Sequence, residues 1–281
     1  MDVRAALLLE GFPLPVSEFT LAEGLRLRRC AEGEVSALLK VDRFALTTPE
    51  SLSTLERHLV LSGDLADLAR LGTLRKELET AALALRLTFP GTVGWRVICY
   101  SQSPAGAIPI LPAEQCLNPN AFCEGDASIA PEGLGEAVRL LARVQAVSSS
   151  AAWPRLGVAL GRFTDSYARR SQEDKVVDLA ICLEAVAGEP SGRRKGEVIA
   201  GRVAPLIAAE SGLFTTAEAR RAIRQLYSAR NAIVHGSGNP LTFKQVLEWK
   251  NMVRTCLRQY LLLATSGTTP ASAREEDGAT T

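Results

Sequence analysis

From Pro131 to Ala264 the chain repeats one pattern, an amphipathic stretch of helical period followed by a short breaker, and a helical bundle is the architecture that satisfies it. Helices are expected over Glu132–Val147, Arg155–Arg170, Glu173–Val186, Lys195–Ala209, Thr216–His235 and Phe243–Ala264. Their starts are marked by capping chemistry. Ser171 with Asp174, Thr215 with Glu218 and Thr242 with Gln245 have the spacing at which a hydroxyl and a carboxylate or amide satisfy each other's backbone donors. Gly236 is a stop signal for the fifth helix, and Asn239-Pro240 reads as a turn.

The first part of the chain is mixed. Strands are expected near Val3–Leu9, Leu25–Cys30, Arg43–Thr47 and Trp95–Ser101, and helices over Glu32–Lys40 and Leu65–Leu87, with a proline-rich loop at Ser103–Pro112. The expected organisation is an α+β domain over residues 1–130, an all-α bundle over 131–265 and a tail over 266–281. The tail is Thr, Ser, Gly, Ala, Pro and charge with no apolar face, so nothing offsets the entropy of ordering it. With 47% hydrophobic residues the rest has ample material for cores.

A net charge of +1 excludes any argument from global charge, so a nucleic-acid surface would have to be a local patch. The six cysteines (Cys30, Cys99, Cys116, Cys123, Cys182, Cys256) form no C-x-x-C pair, and the two histidines are His58 and His235, which speaks against zinc and for a reduced compartment. No metal or other cofactor is expected. The apolar run Ala5–Leu9 breaks at Glu10, too short for a secretory segment, and no run reaches the ~18 apolar residues of a spanning helix. The expectation is a cytoplasmic protein with no membrane partner.

On the fifth helix, Ile223, Leu226, Tyr227, Arg230, Ile233 and Val234 share one stripe, which Arg230 interrupts. A guanidinium there needs either a carboxylate or a polar cleft. The carboxylate expected is Glu184, at the edge of the stripe formed by Val177, Ala180 and Ala187 on an earlier helix. Asn231 and His235 lie four apart and stack along one face, about 100° round from Arg230. The amide is placed to orient the imidazole, and the last turn of a helix suits a cation. A donor fork beside a proton-handling imidazole suits a phosphodiester.

Arg230-Asn231-Ala232-Ile233-Val234-His235-Gly236 resembles the R-x4-6-H motif of HEPN ribonucleases, in the form with a polar residue directly after the arginine. Tyr227, together with Asp174-Lys175-Val176-Val177-Asp178-Leu179 leading into Leu183-Glu184-Ala185, resembles the Apea-like branch of that family. The likeness spans roughly Arg155 to Ala264 and leaves the first half unaccounted for. It implies an all-α HEPN-like bundle that forms a homodimer with two motifs facing across a cleft. It also implies metal-independent RNA cleavage, in which the ribose 2′-OH attacks the adjacent phosphate. His235 would then be the general acid or base, Arg230 the charge stabiliser and Asn231 the positioning residue, with Glu184 and Tyr227 in support. Such domains serve in defence, stress and toxin systems, so an antitoxin or regulatory partner is a further expectation.

Other readings stand beside this one. His235 next to Gly236 also makes an ordinary helix cap, and Arg230 an ordinary ion-pair member. Arg220, Arg221 and Arg224, and likewise Arg193-Arg194-Lys195, suit an RNA backbone or a solvated face equally well. A non-catalytic interaction or nucleotide-binding module is the competing function. His58 reads as a surface residue, the cysteines as small core hydrophobes, and Trp95, Trp153 and Trp249 as core or interface anchors. The glycines of 188–196 lack the Lys-Ser/Thr ending of a phosphate-binding loop, which excludes a P-loop ATPase.

Overall fold

The computed structural model describes residues 2–10, 14–29, 52–60, 65–90, 94–102, 114–115, 130–169, 171–188, 195–212, 214–237 and 240–267. The expected helix Glu32–Lys40, strand Arg43–Thr47, loop Ser103–Pro112, Arg193-Arg194, Asn239 and most of the tail lie outside them, as do Cys30, Cys116 and Cys123. The chain divides into two compact units, Met1–Ala142 and Arg143–Thr281.

In the first unit, β1 (Asp2–Glu10), β2 (Glu18–Ala22), β3 (Leu25–Arg29), β4 (Leu52–Val60), β5 (Gly94–Gln102) and β6 (Glu114–Gln115) form one sheet in the order β2-β3-β4-β1-β5-β6. Every pairing is antiparallel. The apolar run near the start of the chain becomes β1, flanked on one edge by β4, with Asp2 opposite Val60, and on the other by β5. β2 and β3 close a hairpin through Glu23-Gly24, where Gly24 takes the positive φ (67°) that so short a loop requires. Helix α1 (Leu65–Thr88) lies against β1 and β4 and buries Leu74, Leu78, Ala81, Ala82 and Leu85. After it, Phe89 packs on Gly133 of α2 (Pro131–Val147) so closely that a Cβ there would come within 2.5 Å of the ring.

The second unit is helical: α3 (Trp153–Ala168), α4 (Gln172–Ala187), α5 (Lys195–Ser211), α6 (Thr216–Val234) and α7 (Phe243–Thr265). Each helix expected there is present, with ends differing by no more than two residues. Two of the three capping pairs close in both directions, at Thr215/Glu218 and Thr242/Gln245, while Ser171 accepts from the Asp174 N–H without the return bond. α4 is the central element, packed against α3, α5, α6 and α7. Its sequence shows why: Val176, Leu179, Ala180, Cys182, Leu183 and Val186 are all buried, more than a single stripe can hold. Around it gather Phe163, Leu160, Ile199, Val203, Leu226, Met252, Val253 and Leu257. Among the described residues no helix is long and apolar enough to cross a membrane.

Candidate functional site

α6 begins in a closed capping box. The Thr215 hydroxyl accepts from the Glu218 N–H at 3.2 Å, and the Glu218 carboxylate accepts from the Thr215 N–H at 2.8 Å and from its hydroxyl at 2.7 Å. Those donors from Thr215, the backbone one foremost, hold the Glu218 carboxyl below its ordinary range. The helix then buries Ala219, Ile223, Leu226 and Tyr227.

Beyond Tyr227 the helix emerges from the bundle. Ile233 and Arg230 are half-buried and Val234 is 54% exposed, so the apolar stripe outruns the core it serves. The helix ends at Val234, one residue earlier than expected, with His235 as its C-cap. Gly236 follows at φ 71°. Its N–H bonds the Ile233 carbonyl at 3.1 Å and the Ser237 N–H bonds that of Ala232 at 2.8 Å, the paired closure that a left-handed glycine allows. Gly236 is therefore the stop that the sequence marks, and it leaves the His235 side chain exposed at the helix end.

Arg230 Nη1 donates to Asn231 Oδ1 at 3.2 Å. This corrects the expectation that the Asn231 amide orients His235: the long arginine side chain wraps round to its neighbour, and among the described residues the imidazole meets no hydrogen-bond partner. Arg230 Nε is enclosed without an acceptor. An enclosed N–H of a cation left unbonded is costly, and so it marks this guanidinium as one in want of an acceptor.

The direct Glu184–Arg230 ion pair is not made; both side chains act on Tyr227 instead. The phenol, only 5% exposed, donates to the Ala180 carbonyl at 3.1 Å. Burial raises its pKa first, and the neighbouring Glu184 carboxylate raises it further by charge and hydrogen bonding, while the Arg230 charge opposes them. Tyr227 thus fixes the base of the exposed turn to α4. It is also pressed from α5, where a Cβ on Gly196 would lie 3.2 Å from Tyr227 Cβ. The glycine at 196, unsuited to a P-loop, is a packing glycine.

Arg220, Arg221 and Arg224 are exposed on α6. Arg224 is not an uncompensated cation, because Glu197 of α5 accepts from its Nε at 3.0 Å and its Nη2 at 2.7 Å. A carboxylate 27 residues away in sequence is invisible to a search confined to neighbouring turns. Arg220 and Arg221 make no ion pair among the described residues.

No family model, curated protein or solved structure matches this chain. The site therefore stands on its own geometry.

Two features have no role assigned from the sequence. Asp178 is buried on α4, where its carboxylate accepts from Arg169 Nε at 2.6 Å and from Arg162 Nη1 at 3.2 Å. A charge inside the apolar run 176–183 was the available signal. The second is an open groove beside α6, lined in part by Ala232, Ile233 and Ser237 from the motif and the turn after it. Cys182 and Cys256 are free and fully buried, and burial pushes both thiols up, Cys256 to about 12, which makes them poor nucleophiles. Trp249 is buried. His58 lies on β4 opposite Arg4. Among the described residues no three His, Cys, Asp or Glu side chains gather to hold a metal ion.

Proposed function

We propose that the second unit is a HEPN-type, metal-independent endoribonuclease, or an RNA-binding protein of the same type, with Arg230, Asn231 and His235 as its site. One observation carries this reading: the helix leaves the bundle just where the motif begins, and presents there a guanidinium with an unsatisfied enclosed donor and, one turn on, an exposed imidazole. Arg230, half-buried, would meet a phosphate with the end of its guanidinium rather than with the enclosed Nε, while Asn231 steadies the fork through its Oδ1. His235, free of protein partners among the described residues, is available to move a proton between water and a ribose or leaving-group oxygen. The 2′-OH attacks the adjacent phosphorus, the 5′-oxygen leaves, and a cyclic phosphate and a 5′-OH result. Arg220 and Arg221, exposed on the same helix, suit the flanking backbone. In this reading the working form is a homodimer that brings two motifs to one cleft.

The test is incubation of the protein with mixed RNA in EDTA beside His235→Ala. Loss of cleavage by about 100-fold or more is expected of a proton-transfer group. Cleavage unchanged in the variant removes His235 from the chemistry. If neither protein cuts, the competing reading, a non-catalytic interaction or nucleotide-binding module, takes precedence; the open groove beside α6 is the observation that favours it.

A further inference from the structure

α6 and α7 touch one another less than either touches α5, and between them opens a groove of about 340 Å³. Its apolar walls include Ala229 and Ile233 of α6 and the Trp249 indole of α7. Its polar lining residues are Gln225, Ser228, Ser237, Gln245 and Glu248. Among the described residues no lysine, arginine or histidine lines it, and Glu248, exposed on α7, makes no ion pair.

That charge distribution decides what fits. A phosphate meets an uncompensated carboxylate and is repelled, so the groove is not a backbone site. A nucleobase has two flat faces for apolar walls and a polar edge for the rim, and unstacked RNA bases are read at that edge. A carboxylate is an acceptor only. Guanine presents two adjacent donors, N1–H and the exocyclic N2–H, which match the two oxygens of one carboxylate. Adenine offers a single amino group beside an acceptor nitrogen, and uracil a single N–H between two carbonyls that the carboxylate repels. The groove reaches Ser237, two residues past His235, and so borders the turn that ends the motif.

We infer that the groove between α6 and α7 is a base subsite for guanine in single-stranded RNA, with Glu248 accepting from N1–H and N2–H. This rests on the RNA reading above and adds a sequence preference to it.

The experiment measures binding of three fluorescein-labelled heptamers by anisotropy: all-uridine, and uridine with a central adenosine or a central guanosine. Their 2′-fluoro sugars cannot undergo 2′-OH attack. The guanosine heptamer should bind the wild-type protein at least about fivefold more tightly than the other two, the lower end of what one doubly bonded base edge contributes. Glu248→Gln places a donor against a donor; it should bind the guanosine heptamer no more tightly than the other two while melting at the same temperature as wild type. Equal binding of all three by the wild type, or a guanosine preference that survives Glu248→Gln, overturns the subsite and leaves the RNA reading intact. If no heptamer binds, both fall.

Discussion

Replacing Asp178 by asparagine tests how the second unit holds its central helix. The Asp178 side chain is 3% exposed and bridges two arginines of 40% and 42% exposure, Arg162 on α3 and Arg169 at its end. The Arg169 guanidinium is driven further toward its charged form by this contact. Breaking a buried ion pair costs ~3–5 kcal/mol when the orphaned charge stays buried. Here the orphans reach water, so part of that penalty vanishes, and the substituted amide still offers one acceptor oxygen. What is lost is the charge assistance of two hydrogen bonds and one of the acceptors, about 2–3 kcal/mol. For a unit of this size that is a fall of about 8–12 °C in Tm. Differential scanning calorimetry of Asp178→Asn reads it directly. Asp165→Asn is the control, because Asp165 is 51% exposed and 3.8 Å from Arg162, and a surface pair of that kind contributes ~0–1 kcal/mol. Equal, small shifts for the two variants would refute the argument that burial gives the Asp178 bridge its weight.

Tyr227→Phe removes the hydroxyl that bonds the Ala180 carbonyl and adjoins Glu184; urea denaturation should show a loss of ~0.5–1.5 kcal/mol, and a variant as stable as the parent would leave the buried phenol without a structural role. Glu218 has its pKa lowered on folding, so the stability it lends is complete above the unfolded carboxyl's pKa and is lost as pH falls through the lower, folded value. Carbon-13 NMR titration of its carboxyl should place the midpoint below that of an ordinary glutamate. Thr215→Val should restore it only in part, because the backbone donor remains; full restoration would contradict the dominance of that donor.

The composition of the exposed turn has a physical logic. Arg230 and His235 follow every buried residue of their helix, so the bundle is stabilised by Ala219, Ile223, Leu226 and Tyr227 while the motif runs from a half-buried Arg230 to an exposed His235. Tyr227 is where the two demands meet. Its ring belongs to the core and its hydroxyl to the polar contacts at the foot of the motif.

The helices of the second unit were legible in the sequence because their determinants are local: period, capping pairs three residues apart, and a glycine that can take positive φ at the stop. β1, β3 and β5 were expected as strands from the sequence, whereas β2, β4 and β6 were not. Leu52–Val60 interleaves charge with leucine, and becomes a strand because β1 and β3 pair with it on both edges. The side-chain partnerships belonged to tertiary structure alone. Glu197 reaches Arg224, Arg162 and Arg169 reach Asp178, and Tyr227 rather than Arg230 receives Glu184, all through helix pairings that no local spacing encodes. The sequence by itself determined that an arginine, an asparagine and a histidine would share the end of one helix. Only the packing of that helix decided that its buried residues end at Tyr227, and so that Asn231 and His235 would stand exposed beside a half-buried Arg230.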